Sequence, residues 1–159
     1  ICLGVFLQAG WIPLIPAAIA VVTSGAGVVA YRLLYDTFHD SLTGLPNRAL
    51  FTRQIRSAIN YHRDTIHLNQ PIELPTVAVL LLGLDSFKAI NDSFGHRMGD
   101  QLLIATTHRL KSSLHPTDTL ARVGGDEFAI LRRKVEDTDE VTYLADQLQR
   151  QVTQPYKLN

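Results

Sequence analysis

The chain is poor in the residues that anchor whole classes of function. It has one cysteine, Cys2, among 159 residues, which excludes an internal disulfide framework and a cysteine-based zinc site. Its 15 basic and 15 acidic side chains cancel, so no general basic field points to nucleic acid and no acidic run points to disorder. No phosphate loop of the form GxxxxGK[ST] occurs anywhere; a nucleotide, if bound, is held in some other way. Charge is missing altogether from residues 1–31.

That uncharged stretch is longer than one membrane crossing, which takes roughly 20 residues. Pro13 and Pro16, with Gly10 and Trp11 before them, interrupt it. Residues 1–9 therefore read as the end of one spanning helix, residues 10–13 as an interfacial turn with Trp11 as aromatic anchor, and residues 14–34 as a second span. A helical hairpin buried in a soluble core is the competing reading. Arg32, Arg48, Arg53 and Arg56 follow the second span. By the positive-inside tendency they predict an inner-membrane protein with everything after Tyr31 in the cytoplasm. The start at Ile1, with no basic leader, reads as an excised piece rather than a signal peptide. Residues 25–30 (GAGVVA) fit a dinucleotide-binding GxGxxA pattern, but they lie inside the uncharged span and lack the acid expected about 20 residues on. Small residues that let membrane helices pack closely explain them better.

Residues 35–39 read as a connector. Residues 40–48 are turn-rich and lead into a helix with Phe51, Ile55, Ala58 and Ile59 at helical spacing. Pro71 and Pro75 mark residues 64–75 as an irregular connection. Residues 77–82 are continuously apolar, which predicts a central strand over residues 76–84, buried on both faces. Polar groups crowd residues 83–100, just past its carboxyl end, where open α/β sheets bind ligands. A helix follows over residues 100–114 with Leu103, Leu110 and Leu114 inward, then a hairpin of residues 119–123 and 126–131. The last helix, from residue 138 to about residue 153, is patterned by Val141, Leu144, Ala145, Leu148 and Val152 and ended by Pro155. Helix, strand, helix, hairpin, helix is an α/β sandwich.

The hairpin is the focus. Two apolar runs flank Gly124-Gly125-Asp126-Glu127, and a two-residue turn there needs positive φ at both glycines. Adjacent acids point to opposite faces of an extended strand, but at the lip of a turn both can approach one ion or phosphate. Hard oxygen ligands suit Mg²⁺, which takes one or two carboxylates together with substrate phosphates. The bland alternative is a pair of acids that merely blunts a sheet edge.

Residues 40–48 (DSLTGLPNR), 87–100 (FKAINDSFGHRMGD) and 122–128 (RVGGDEF), in that order, resemble the GGDEF domain of diguanylate cyclases over residues 40–159. The resemblance implies a palm-like α/β sandwich in which two subunits face each other, each holding one GTP, and join them into cyclic di-GMP with loss of pyrophosphate. Residues 9–16 and 30–32 are similar to the membrane end of CHASE-type sensor proteins. By position, the resemblance assigns Asn91 and Asp100 to the guanine edge, His96 to the wall of the nucleotide site, and the backbone N–H groups of Phe87 and Lys88 to the phosphates. It assigns the Leu84 carbonyl and Asp126 to a metal, and Glu127 to a second ion or to deprotonation of the attacking 3′-hydroxyl; Mg²⁺ is the implied cofactor. Taken alone, Asn91 also reads as a turn residue, Asp100 as a helix cap and His96 as a loop residue.

Three departures stand out. The family pattern DxDxFK begins here with Gly83, and Asp85 lies about 6.5 Å further along a strand, too far to replace a ligand that must come within roughly 2.1 Å of Mg²⁺. The family's inhibitory RxxD is His115-Pro116-Thr117-Asp118, and neutral imidazole lacks the forked, permanent charge of a guanidinium. The chain stops at Asn159, before the closing strand and helix that the resemblance implies, so the domain reads as truncated. Alongside a membrane-tethered cyclase, the sequence is compatible with a silent GTP-binding regulator of an output such as an EAL phosphodiesterase, and with a purely structural dimerisation domain.

Overall fold

The computed structural model describes residues 28–29, 32–33, 35–66, 76–135 and 137–158. The chain divides into two units, Ile1–Thr37 and Phe38–Asn159. In the first, the described residues are helical, Val28, Val29 and Leu33 are exposed, and the Thr37 hydroxyl donates to the Leu33 carbonyl at 2.7 Å. Most of the two expected spans lies in residues 1–27, outside the described residues. Among those described, no helix is long and apolar enough to cross a membrane. Residues 67–75, most of the expected irregular connection, are also outside them.

The second unit begins with a turn locked by its own side chains. The Asp40 carboxylate accepts from the Thr43 amide at 2.8 Å and the Thr43 hydroxyl at 2.6 Å, and Gly44 takes the positive φ of 66° that the reversal needs. Asn47 then caps helix α1 (Arg48–Ile66) by accepting from the amides of Ala49 and Leu50 at 3.0 and 3.1 Å. Phe51 and Ala58 are buried and Ile55 packs beside them, but Ile59 is 53% exposed. At about 100° per residue it lies roughly 70° round the helix from the mean of the other three, off the buried stripe.

The sheet has three strands, β1 (Thr76–Gly83), β2 (Thr119–Arg122) and β3 (Glu127–Val135), in the order β1-β3-β2 and antiparallel throughout. The central strand is therefore β3, not β1 as its longer apolar run predicted. Phe128, Ala129, Ile130 and Leu131 are fully buried in succession, whereas Val79 and Leu81 of β1 are 46% and 76% exposed. A ladder on both sides and helices on both faces bury a strand; an apolar run alone does not.

Between β1 and β2 lie α2 (Phe87–Phe94) and α3 (His96–Ser113), and after β3 comes α4 (Thr138–Val152). Alternate residues of β3 sort into two cores. Phe128 and Ile130 meet Leu103, Leu110, Leu144 and Leu148 of α3 and α4, and Ala129 and Leu131 meet Phe51 of α1. The result is the expected sandwich, each buried Phe or Leu contributing about 1.5–3 kcal/mol. In α4, Leu144 and Leu148 are buried as patterned, while Ala145 is exposed. The chain after α4 is strapped to α3: Arg109 donates to the carbonyls of Gln151, Gln154 and Pro155 and lies 3.6 Å from the centre of the Tyr156 ring.

Candidate functional site

The last residue of β1 and the acid-bearing turn meet through the strand register. Gly83 pairs with Glu127, and the Leu84 amide donates to the Asp126 carbonyl at 3.2 Å. Directly opposed residues of an antiparallel pair project from the same face, so position 83 and the Glu127 carboxylate share one corner. A Cβ built on Gly83 meets nothing within 4 Å. Asp85 is not a strand residue, because the strand ends at Gly83 and residues 84–86 turn into α2, with Ser86 at φ 60°.

The turn itself departs from the expected geometry. Neither Gly124 nor Gly125 has positive φ, and the reversal is a longer loop closed by the amides of Val123 and Gly124 donating to the Glu127 carbonyl at 2.9 and 3.4 Å. Gly124 instead leaves the room in which the Glu127 side chain lies: a Cβ there would come 2.5 Å from Glu127 Oε2, which would have to rotate away. Gly125 supplies its carbonyl, which accepts from Arg122 Nε and Nη2 at 3.2 and 2.6 Å. The same guanidinium donates to both Asp40 oxygens at 3.0 and 3.1 Å. Arg122 thus fixes the acid turn to the first turn of the unit, a role that the sequence reading missed although both residues stand inside its quoted motifs. Burial pushes the Asp40 carboxyl up, but the Thr43 hydroxyl and amide and the Arg122 guanidinium together hold it below the ordinary carboxylate value.

Asp126 is half-buried and Glu127 exposed. Among the described residues no group of three or more His, Cys, Asp or Glu converges as a metal cage. Two carboxylates on a turn whose backbone is bonded to Leu84 are nonetheless a donor set whose chemistry fits Mg²⁺ completing its shell with a carbonyl, phosphate oxygens and water. The Leu84 oxygen also accepts from the Phe87 amide at 3.4 Å, leaving it a second lone pair.

Phe87 ties this corner to a second cluster. Its ring reaches the first turn of α3, where a Cβ on Gly99 would lie 3.1 Å from Phe87 Cζ and would collide with Asn91 Oδ1. That oxygen is buried and has no hydrogen-bond partner among the described residues. The Asn91 carboxamide therefore lies against the residue that precedes Asp100. Asp100 sits in the second turn of α3, which starts at His96, so it is not the helix cap that its position suggested. Asn91 belongs to α2, a helix the sequence reading took for loop. Asp100, His96 and Lys88 are exposed.

The degenerate inhibitory motif is tied into the fold. The Asp118 side chain is 1% exposed and paired fork-to-fork with Arg132 at 3.1 and 2.7 Å, while it also accepts from the His115 amide at 3.0 Å. Arg132 donates in addition to Glu140 of α4 at 2.7 Å. His115 bonds Thr117 Oγ1 through Nδ1 at 2.7 Å.

Residues 37–159 match the family model described as diguanylate cyclase, GGDEF domain. The chain belongs to the GGDEF family. This GGDEF chain is 40% identical over 129 residues to the bifunctional diguanylate cyclase/cyclic di-GMP phosphodiesterase MucR of Pseudomonas aeruginosa, a match covering 80% of it and 17% of MucR. It is 35% identical over 130 residues to the diguanylate cyclase TpbB of the same species, covering 80% and 27%. The solved GGDEF domain of TpbB superposes with a TM-score of 0.67 at 35% identity, over 76% of this chain and 66% of that one. The chain thus spans less than a third of either curated relative, and the GGDEF fold and membership of the cyclic di-GMP signalling family are what it shares with them.

Proposed function

We propose that the complete protein binds GTP with Mg²⁺ at this end of the sheet and, when two copies face each other, condenses two GTP into cyclic di-GMP. The observation that carries the reading is the coupling of two places through Phe87: the acid turn of Asp126 and Glu127 bonded to Leu84, and the Asn91 carboxamide resting on Gly99, the residue before Asp100. Guanine offers N–H donors next to ring and carbonyl acceptors, which a carboxylate and an amide match together. In this reading Glu127 takes the proton of a 3′-hydroxyl. That oxygen then bonds to the α-phosphorus of the opposing GTP, the bond to the β-phosphate breaks, and pyrophosphate leaves; repeating the step in the other direction closes the ring. The backbone of Phe87 and Lys88, at the start of α2, holds the phosphates. Mg²⁺ at the acid corner would neutralise the phosphates and lower the barrier to charge developing at the α-phosphorus. The uncharged N-terminal stretch supports a tether in the inner membrane, of the CHASE-sensor type, with the GGDEF domain in the cytoplasm.

A second reading follows from Gly83. With one carboxylate fewer, the site holds GTP without turnover and controls a phosphodiesterase output, as the two-part name of MucR illustrates for a relative. Titration of GTP with Mg²⁺ onto the full-length protein and its Asp100→Ala variant tests what both readings share. The variant is expected to lose affinity by on the order of a hundredfold; unchanged affinity would refute the guanine assignment. Chromatographic detection of cyclic di-GMP then separates enzyme from silent binder.

A further inference from the structure

We infer that Gly99 is a positioning residue for base recognition: by lacking a Cβ it provides the seat on which the Asn91 carboxamide rests. The inference rests on the guanine reading of Asn91 and Asp100 given above. Gly99 is buried within α3 and its φ is not positive, so no backbone requirement calls for glycine. Glycine inside a helix is less stable than alanine. At the same point Asn91 Oδ1 is buried without a hydrogen bond among the described residues, a further cost. Two locally unfavourable choices in contact with each other mark a place shaped for something other than stability.

Space explains the pairing. A Cβ on Gly99 would collide with Asn91 Oδ1 and come within 3.0 Å of its Cγ. The Asn91 backbone is held in place, its carbonyl accepting the Gly95 amide at 2.8 Å at the end of α2, so the clash is relieved by rotation of the side chain; the Phe87 ring, its Cζ 3.1 Å from the same added Cβ, adds to the crowding. Any side chain at position 99 therefore swings the carboxamide away from Asp100's side of the cleft. The two groups that read one base would then no longer point at it together.

A double-mutant cycle on the full-length protein tests this, reading GTP affinity and the GTP-to-ATP ratio with Mg²⁺ present. Gly99→Ala is expected to weaken GTP by about tenfold, the scale of one hydrogen bond, and to narrow selectivity. Asn91→Ala is expected to do the same, and the double variant to be no worse than Asn91→Ala alone, because the methyl then fills vacated space. Normal GTP binding by Asn91→Ala would overturn the guanine reading and the seat with it. Loss in Asn91→Ala but none in Gly99→Ala would overturn the seat alone, as would equal losses from Gly99→Ala with and without Asn91. Should Gly99→Ala not fold, Asn91→Gln probes the same seat from a good helix former: one extra methylene overreaches it, so undiminished affinity and selectivity would overturn the inference.

Discussion

At the scale of single residues the site turns on what is missing at position 83. Gly83 faces Glu127 across the ladder and a Cβ there meets open space, so an aspartate would add a third carboxylate to the corner, about 4.5–5.5 Å from Glu127, Cβ to Cβ. Gly83→Asp is therefore expected to raise cyclic di-GMP synthesis by on the order of ten- to a hundredfold, the range of one well-placed charge-stabilising group. The measurement is product formed per minute at saturating GTP and Mg²⁺. A brisk wild-type rate with no gain in the variant would show that the absent ligand is immaterial. Sequence alone identified Gly83 and discounted Asp85 by distance along a strand; in the structure the strand ends at Gly83 and Asp85 lies in the turn into α2. It misjudged Gly124 and Gly125, because a glycine kept for a neighbour's side chain and one kept for positive φ look identical in a string of letters.

At the scale of elements, the acid turn is held by a chain of contacts from Asp40 through Arg122 to Gly125. Asp40 is depressed in the folded state relative to its ordinary value of 3.8. Its contribution to stability is thus complete above that value and is lost as the pH falls through the lower, folded one. Melting temperature followed from about pH 6 to about pH 2.5 should drop along this limb in the native protein and be flatter in Asp40→Asn, which should also melt lower near neutrality. Parallel curves would show that Asp40 carries no such linkage. Helix α2 escaped the sequence reading because nothing announces its start: Ser86 caps it with no side-chain bond and no residue of it is buried. Strand β3 was undervalued because its buried run, Phe128 to Leu131, is followed at once by Arg132, Arg133 and Lys134, one of which is spent on Asp118. Helices α1 and α4, with a capping side chain and apolar spacing to mark them, were read nearly to their ends.

At the scale of the whole molecule, β1 has no partner on its outer edge among the described residues. Leu81 is 76% exposed there, beside a groove of about 560 Å³ lined by Leu80, Leu82, Leu84, Leu148 and Val152. An open, apolar edge is a template for association. The 159-residue chain is expected to self-associate with rising concentration, and Leu81→Lys to reduce it, as read by light scattering; unchanged scattering in the variant would remove the edge as the cause. The α/β class was legible from three spaced motifs, whereas strand order was not, since pairing is fixed by long-range burial rather than by local pattern. The room around Gly83 also has a consequence in inheritance. Where the glycine codon ends in a pyrimidine, one G-to-A transition at its middle base writes aspartate, and no neighbour must change to accommodate it. A lineage carrying this domain can therefore retire or restore a carboxylate beside its acid turn in a single step, leaving the sheet and the helices untouched.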